Sequence, residues 1–154
     1  MIYQGRFADA ADSRHTLKIT TGWSPSYNAS NDTTTAITMG ETPFITTMDS
    51  GDDTIYKPMK CTGATIQIVT EGYLFDIYSA TAQGTKVELR GSSNQVEWVG
   101  FATPNLYDMG YQAIETIEIE CIDGLSTLQY IKYTPVGASK TVRSFAEIVG
   151  HIIS

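Results

Sequence analysis

Residues 117–130 read IEIECIDGLSTLQY, and the change of rhythm inside them decides how the chain is built. Ile117, Ile119 and Cys121 alternate with Glu118 and Glu120, the period of two that a strand with one wet face requires. Beyond Asp123-Gly124 the apolar residues Leu125, Leu128 and Ile131 follow at helical spacing. An aspartate at such a break can accept hydrogen bonds from the free N–H groups that open a helix, so Asp123 is the expected N-cap. A strand running into a turn with a serine just beyond it is also the setting of some catalytic nucleophiles. Ser126 in D-G-L-S lacks the flanking glycines of a G-x-S-x-G elbow, and neither His15 nor His151 lies near it in sequence. The stretch therefore reads as a junction that builds shape, with both histidines structural or solvated.

Working outward, strand signals dominate. IYQGRFA (2–8) and TLKITT (16–21) read as a hairpin joined by the polar connection ADAADSRH, and SPSYNASNDTTT (24–35) reads as a loop without periodicity. PFITTM (43–48) follows as a strand, then the turn DSGDD, then YKPMKCTGATIQIVT (56–70) with Ala64, Ile66, Ile68 and Thr70 on one face. YLFDIYS (73–79), KVELRG (86–91) and VEWVGFAT (96–103) are three more expected strands, the last two joined by a turn at Gly91-Ser92-Ser93-Asn94. In TVRSFAEIVGHIIS (141–154), Val142, Phe145, Ile148, Val149, Ile152 and Ile153 form one helical stripe. That helix reaches Ser154 without a C-cap, which predicts that the sequence is the N-terminal piece of a longer protein. The expected class is mainly β (α+β), one domain over 1–154, with a helix after the 115–122 strand and an amphipathic helix over 140–154.

Composition narrows the function. A chain of 154 residues with 42% apolar and 18% charged residues suits one folded domain with a sizeable core. Its 10 Lys+Arg against 17 Asp+Glu leave a net charge of −7, which repels phosphate and argues against stable nucleic-acid binding. No apolar run is long enough to span a bilayer and the N-terminus has no signal-peptide core, so neither membrane insertion nor export is expected. Cys61 and Cys121 are isolated and far apart, which fits neither a zinc knuckle nor a disulfide-dense scaffold; they are expected reduced and partly buried, with a single bridge between them left open by the sequence.

Three constellations carry candidate chemistry. Asp49, Asp52 and Asp53 place carboxylates together as a hard cation would require, but the spacing misses the D-x-[DN]-x-[DN]-G pattern, so they are weak metal candidates and read first as a solvated hairpin tip. Tyr107 and Tyr111, near Asn105, Asp108 and Gln112, could stack on a sugar ring and bond its hydroxyls; packing or a subunit interface is the favoured reading. Asn28 and Asn31 begin N-x-[ST] sequons that mean little without an export signal. No Gly-rich phosphate loop or dinucleotide fingerprint appears, and no catalytic residue or cofactor is assigned.

The order YKPMKCTGATIQIVT, VEWVGFATPNLY, IEIECIDGLSTLQYIKY and a helix of the SFAEIVGHII type resembles the N-terminal region of prophage tail proteins from Bacteroides-like bacteria, of the baseplate hub or tail-tip kind. The likeness is carried by W-x-G at Trp98 and Gly100, the loop at Pro104 and Tyr107, and D-G-L-x-x-L at Asp123, Gly124, Leu125 and Leu128. It implies a tail-tube-like antiparallel β-barrel or sandwich with a flanking helix, non-catalytic here, made in the bacterial cytoplasm and placed in the virion tail. Its partners would be further copies of itself, in a ring that is commonly a trimer, and other tail proteins. Two rivals stand beside it: a β-sandwich binding carbohydrate through the Tyr107–Gln112 loop, and a hydrolase built around Ser126 or the three aspartates.

Overall fold

Alternation along each strand is what sorts this chain into an inside and an outside. The computed structural model describes residues 1–48, 61–72, 74, 76–104 and 114–130. Eight strands form one sheet: β1 (Ile2–Ala8), β2 (Arg14–Thr21), β3 (Thr34–Ala36), β4 (Thr38–Met48), β5 (Thr62–Thr70), β6 (Thr85–Arg90), β7 (Val96–Ala102) and β8 (Glu115–Asp123). Their order across the sheet is β3-β1-β2-β6-β7-β8-β5-β4, and the protein is mainly β, as expected.

The two ends of that order are neighbours in the chain. Only Ile37 separates β3 from β4; residues 34–36 pair with β1 while residues 38–48 pair with β5. One bent stave thus serves both edges and the sheet closes into a barrel, with the Ile37 N–H donating to the Gln4 carbonyl at 3.0 Å. Counting β3 and β4 as one leaves seven staves from eight strands. An odd ring cannot alternate direction all the way round, so one parallel contact is unavoidable. It is β1 with β3, and the expected purely antiparallel barrel is corrected to a mixed one.

Inside lie Leu17, Ile19, Ile66, Ile68, Val87, Ile117, Ile119 and Cys121, inward-facing residues of four staves. Burying side chains of this size contributes roughly 1.5–3 kcal/mol each before conformational entropy is subtracted. Close approach at the closure needs a glycine: a Cβ on Gly5 would run into Met39. The hairpin turn at Gly91–Asn94 forms as read, with Asn94 at φ 64° and the Gly91 N–H donating to the Gln95 carbonyl at 2.9 Å. The first hairpin also forms, but Arg14 and His15 belong to β2, where they face Ala8 and Phe7.

Two expected elements differ. Among the described residues of 73–79, none lies in a strand. Each stave of the closed barrel already has neighbours on both sides, so this apolar segment packs instead: Ile77 is buried, and its carbonyl accepts from Thr85 Oγ1 at 2.6 Å. The loop over 24–35 contains a short 3-10 turn at Ala29–Asn31 and ends in β3. The amphipathic helix over 140–154 lies outside the described residues.

The W-x-G pair has a steric cause. Trp98 packs edge-to-face on Phe44, with ring centroids 5.5 Å apart, and its indole N–H donates to Thr62 Oγ1 at 3.3 Å. The ring lies over Gly100, whose missing Cβ would meet both the indole and the Ile122 carbonyl. Gly100→Ala is therefore expected to destabilise the protein by about 1–3 kcal/mol in urea denaturation, the usual range for overpacking a close contact. A loss within error of zero would show that the ring and β8 can give way.

Candidate functional site

The junction after β8 is built on one carboxylate. Asp123 Oδ1 accepts from the Ser126 N–H at 2.7 Å, which caps the turn as the sequence predicts. Its other oxygen accepts from the N–H and the Oγ1 of Thr62 at the start of β5. The element that follows is a 3-10 helix over Ser126–Tyr130, tighter than the helix expected from Leu125 onward. Its buried residue is Thr127; Leu125 is 38% exposed and Leu128 half-buried. Thr127 wins the inner position because its hydroxyl is satisfied twice, donating to the Gly124 carbonyl at 2.7 Å and accepting from Gln83 Nε2 at 2.8 Å. Gly124 is not in the left-handed region, and a Cβ there would make only ordinary contact with Phe101 at 3.8 Å.

Two other polar clusters tie distant segments. Asp76 accepts from the Tyr3 hydroxyl at 2.6 Å and from Thr21 Oγ1 at 3.2 Å, holding the 74–79 segment against β1 and β2. Burial, followed by the bond to Asp76, pushes the Tyr3 hydroxyl up to about 12. In the second cluster, His15 lies between two carboxylates, with Nδ1 3.0 Å from Glu97 Oε2 and Nε2 3.3 Å from Asp9 Oδ2. Its ring stacks on Phe7 at 5.5 Å. Asp9 also accepts from the N–H groups of Ser13 and Ala11 in the hairpin turn, and the Ser13 bond, ahead of the contact with His15, holds its carboxyl below the usual range. Beside His15 a cleft of about 470 Å³ opens between Arg6, Arg14 and Ser92.

The sequence candidates are thereby distributed. Trp98, Gly100 and Asp123 are joints of the barrel wall, and Pro104 is half-buried just past β7. Ser126 is engaged with Asp123, while His15 is held by Asp9 and Glu97, so neither supplies the other's catalytic partner. Asp49, Asp52 and Asp53, the ligand candidates Tyr107 and Tyr111, and His151 lie outside the described residues. Among the described residues no group of three or more His, Cys, Asp or Glu is placed to hold a metal ion, and no helix is long and apolar enough to cross a membrane. Both cysteines are free; Cys61 is half-buried and Cys121 fully buried, so that burial pushes the Cys121 thiol up to about 12. Sequence reasoning missed Asp76, Glu97 and Thr127 because their partners lie 44 to 82 residues away along the chain.

For Asp123, burial alone would raise the carboxyl, but the bonds from Thr62 and Ser126 outweigh it and hold the group below its ordinary value. A depressed folded value means that this tie stabilises the protein above the unfolded pKa of about 3.9 and loses its effect as pH falls through the folded one. Asp123→Ala is expected to cost about 2 kcal/mol at neutral pH in urea unfolding. The difference from the unsubstituted protein should shrink as pH falls from about 5 to about 2. A difference that stays constant over that interval would show that the carboxylate charge is not what ties β5 to β8.

Comparison with protein-family models, with curated proteins and with solved structures finds no match to this chain.

Proposed function

We propose that this chain is a structural component of a prophage tail, part of the baseplate hub or tail-tip ring that joins the tail tube to the tip, and that this region performs no catalysis. The resemblance rests on W-x-G and D-G-L-x-x-L, and what supports the reading is the work these residues do. Trp98 folds over Gly100 in the barrel wall, and Asp123 locks the end of β8 to the start of β5 while capping the turn that leaves the barrel. Among the described residues, the N–H of Ser126 is held by Asp123 and His15 lies between Asp9 and Glu97, as fastenings of a closed frame. A ring component must transmit force without shearing, and a barrel with one bent stave across its seam leaves the outer face of its wall available to neighbours. The partners would be further copies, as a small ring such as a trimer, together with other tail proteins, and the location the virion tail.

The test is to induce the prophage, purify tailed particles and locate the protein by mass spectrometry and antibody labelling in the electron microscope. The expected result is stoichiometric recovery with particles and label at the distal end of the tail. Absence from particles, together with saturable sugar binding abolished by Tyr107→Ala, would replace this reading with the carbohydrate-binding one.

A further inference from the structure

The net charge of −7 conceals how the register sorts charge around the barrel. The Lys and Arg residues among the described residues are Arg6, Arg14, Lys18, Lys86 and Arg90. The inward set of β1, β2 and β6 contains Tyr3, Leu17, Ile19, Val87 and Leu89, so all five cations fall on the outer face of these three adjacent staves. The pairing brings them together: Arg6 faces Thr16, which faces Arg90, and Thr20 faces Lys86. The acid on this face is Glu88. It lies 2.7 Å from Lys86 Nζ and 2.9 Å from an Arg90 nitrogen, and although burial alone would raise its carboxyl, these two partners hold it low. Arg6, Arg14 and Lys18 have no carboxylate partner among the described residues.

The opposite side has the reverse character. On β8 and β5 the outward residues include Glu118, Glu120, Thr65 and Gln67, with no cation. Glu118 and Glu120 are exposed, and exposed Ile45 on β4 stands opposite Thr65, which stands opposite Glu120. Around the seven staves, β2 is three steps from β8 in one direction and three from β5 in the other. The two charged faces are therefore diametrically opposed.

We propose that the outer face of β1, β2 and β6 docks against the outer face of β5 and β8 of a second copy of this chain. A two-fold contact through either face would set like charge against like. A head-to-tail contact pairs opposite charges; repeated between opposed faces it builds a row, and the row closes into a ring where each step also carries a turn. The proposal rests on the reading as a ring component and adds to it which surfaces meet. Exposed ion pairs orient and accelerate encounter more than they hold it, so association is weak for an isolated pair and strongly salt-dependent, with Ile45 adding apolar contact.

The test is sedimentation velocity on the full chain, with two charge-reversed forms: Arg6→Glu/Arg14→Glu/Lys18→Glu and Glu118→Lys/Glu120→Lys. Circular dichroism checks that each keeps its strands, and the milder set Glu118→Gln/Glu120→Gln replaces the lysine form if it does not. The unsubstituted protein should associate at about 50 mM salt and weaken roughly tenfold or more by about 500 mM. Each reversed form should be monomeric alone, while an equimolar mixture should recover association, since one now presents two acidic faces and the other two basic ones. Mixtures that stay monomeric, or reversed forms that associate normally, would overturn the face assignment. Association that ignores both salt and reversal would overturn it as well and leave the ring reading standing. A protein that stays monomeric at low salt yet binds heparin through Arg6, Arg14 and Lys18 would overturn it in favour of a polyanionic ligand.

Discussion

Closure of the barrel depends on a single residue interval. Residues 34–48 must satisfy the free edge of β1 with their first part and the free edge of β5 with their second, and the change of partner happens at Ile37. With seven staves, strict alternation of direction is impossible, so the parallel contact of β3 with β1 follows from counting. Local compromises concentrate here. Gly5 leaves room for Met39, and the β4 register is interrupted between Met39 and Phe44. Over that interval the Thr42 N–H is served by Gln67 Oε1 at 3.0 Å in place of a backbone acceptor. An irregular stretch of backbone is tolerated where a side chain takes over the missing hydrogen bond.

The barrel wall is apolar inside, and its joints are fastened mostly by aspartates. Asp9 gathers the first hairpin turn and His15, Asp76 gathers β1, β2 and the 74–79 segment, and Asp123 gathers β5, β8 and the following 3-10 turn. In each case both carboxylate oxygens are used; at Asp76 and Asp123 the partners come from different parts of the chain, and at Asp9 from the hairpin that follows it. Charge-assisted hydrogen bonds of this kind are stronger than neutral ones and specific in direction, which suits a joint. It also explains why His15 and the N–H of Ser126 are occupied.

Function, on this view, is carried by the outside of the barrel. The inward positions are committed to packing, whereas the outward positions differ from stave to stave and hold all the described lysines and arginines on one side. An acidic chain can in this way present a basic surface. The expectation that net charge governs partners applies to the field at a distance, while contact is governed by the face that meets the partner.

The sequence by itself determined what depends on near neighbours. Alternation placed Ile117, Ile119 and Cys121 inside, the Gly91–Asn94 turn and the first hairpin formed as read, and Asp123 caps the turn its residue type predicted. Tertiary structure decided what depends on distant pairing. β3 is too short to announce itself, and it exists because β1 offers a free edge. The 73–79 segment has strand composition, but each neighbouring edge was already taken. Thr127 displaced Leu125 from the buried face because Gln83 was there to satisfy its hydroxyl. The two charged faces likewise follow from register: a period of two fixes which residues point outward, and only the order of staves around a closed ring fixes which outward residues become neighbours.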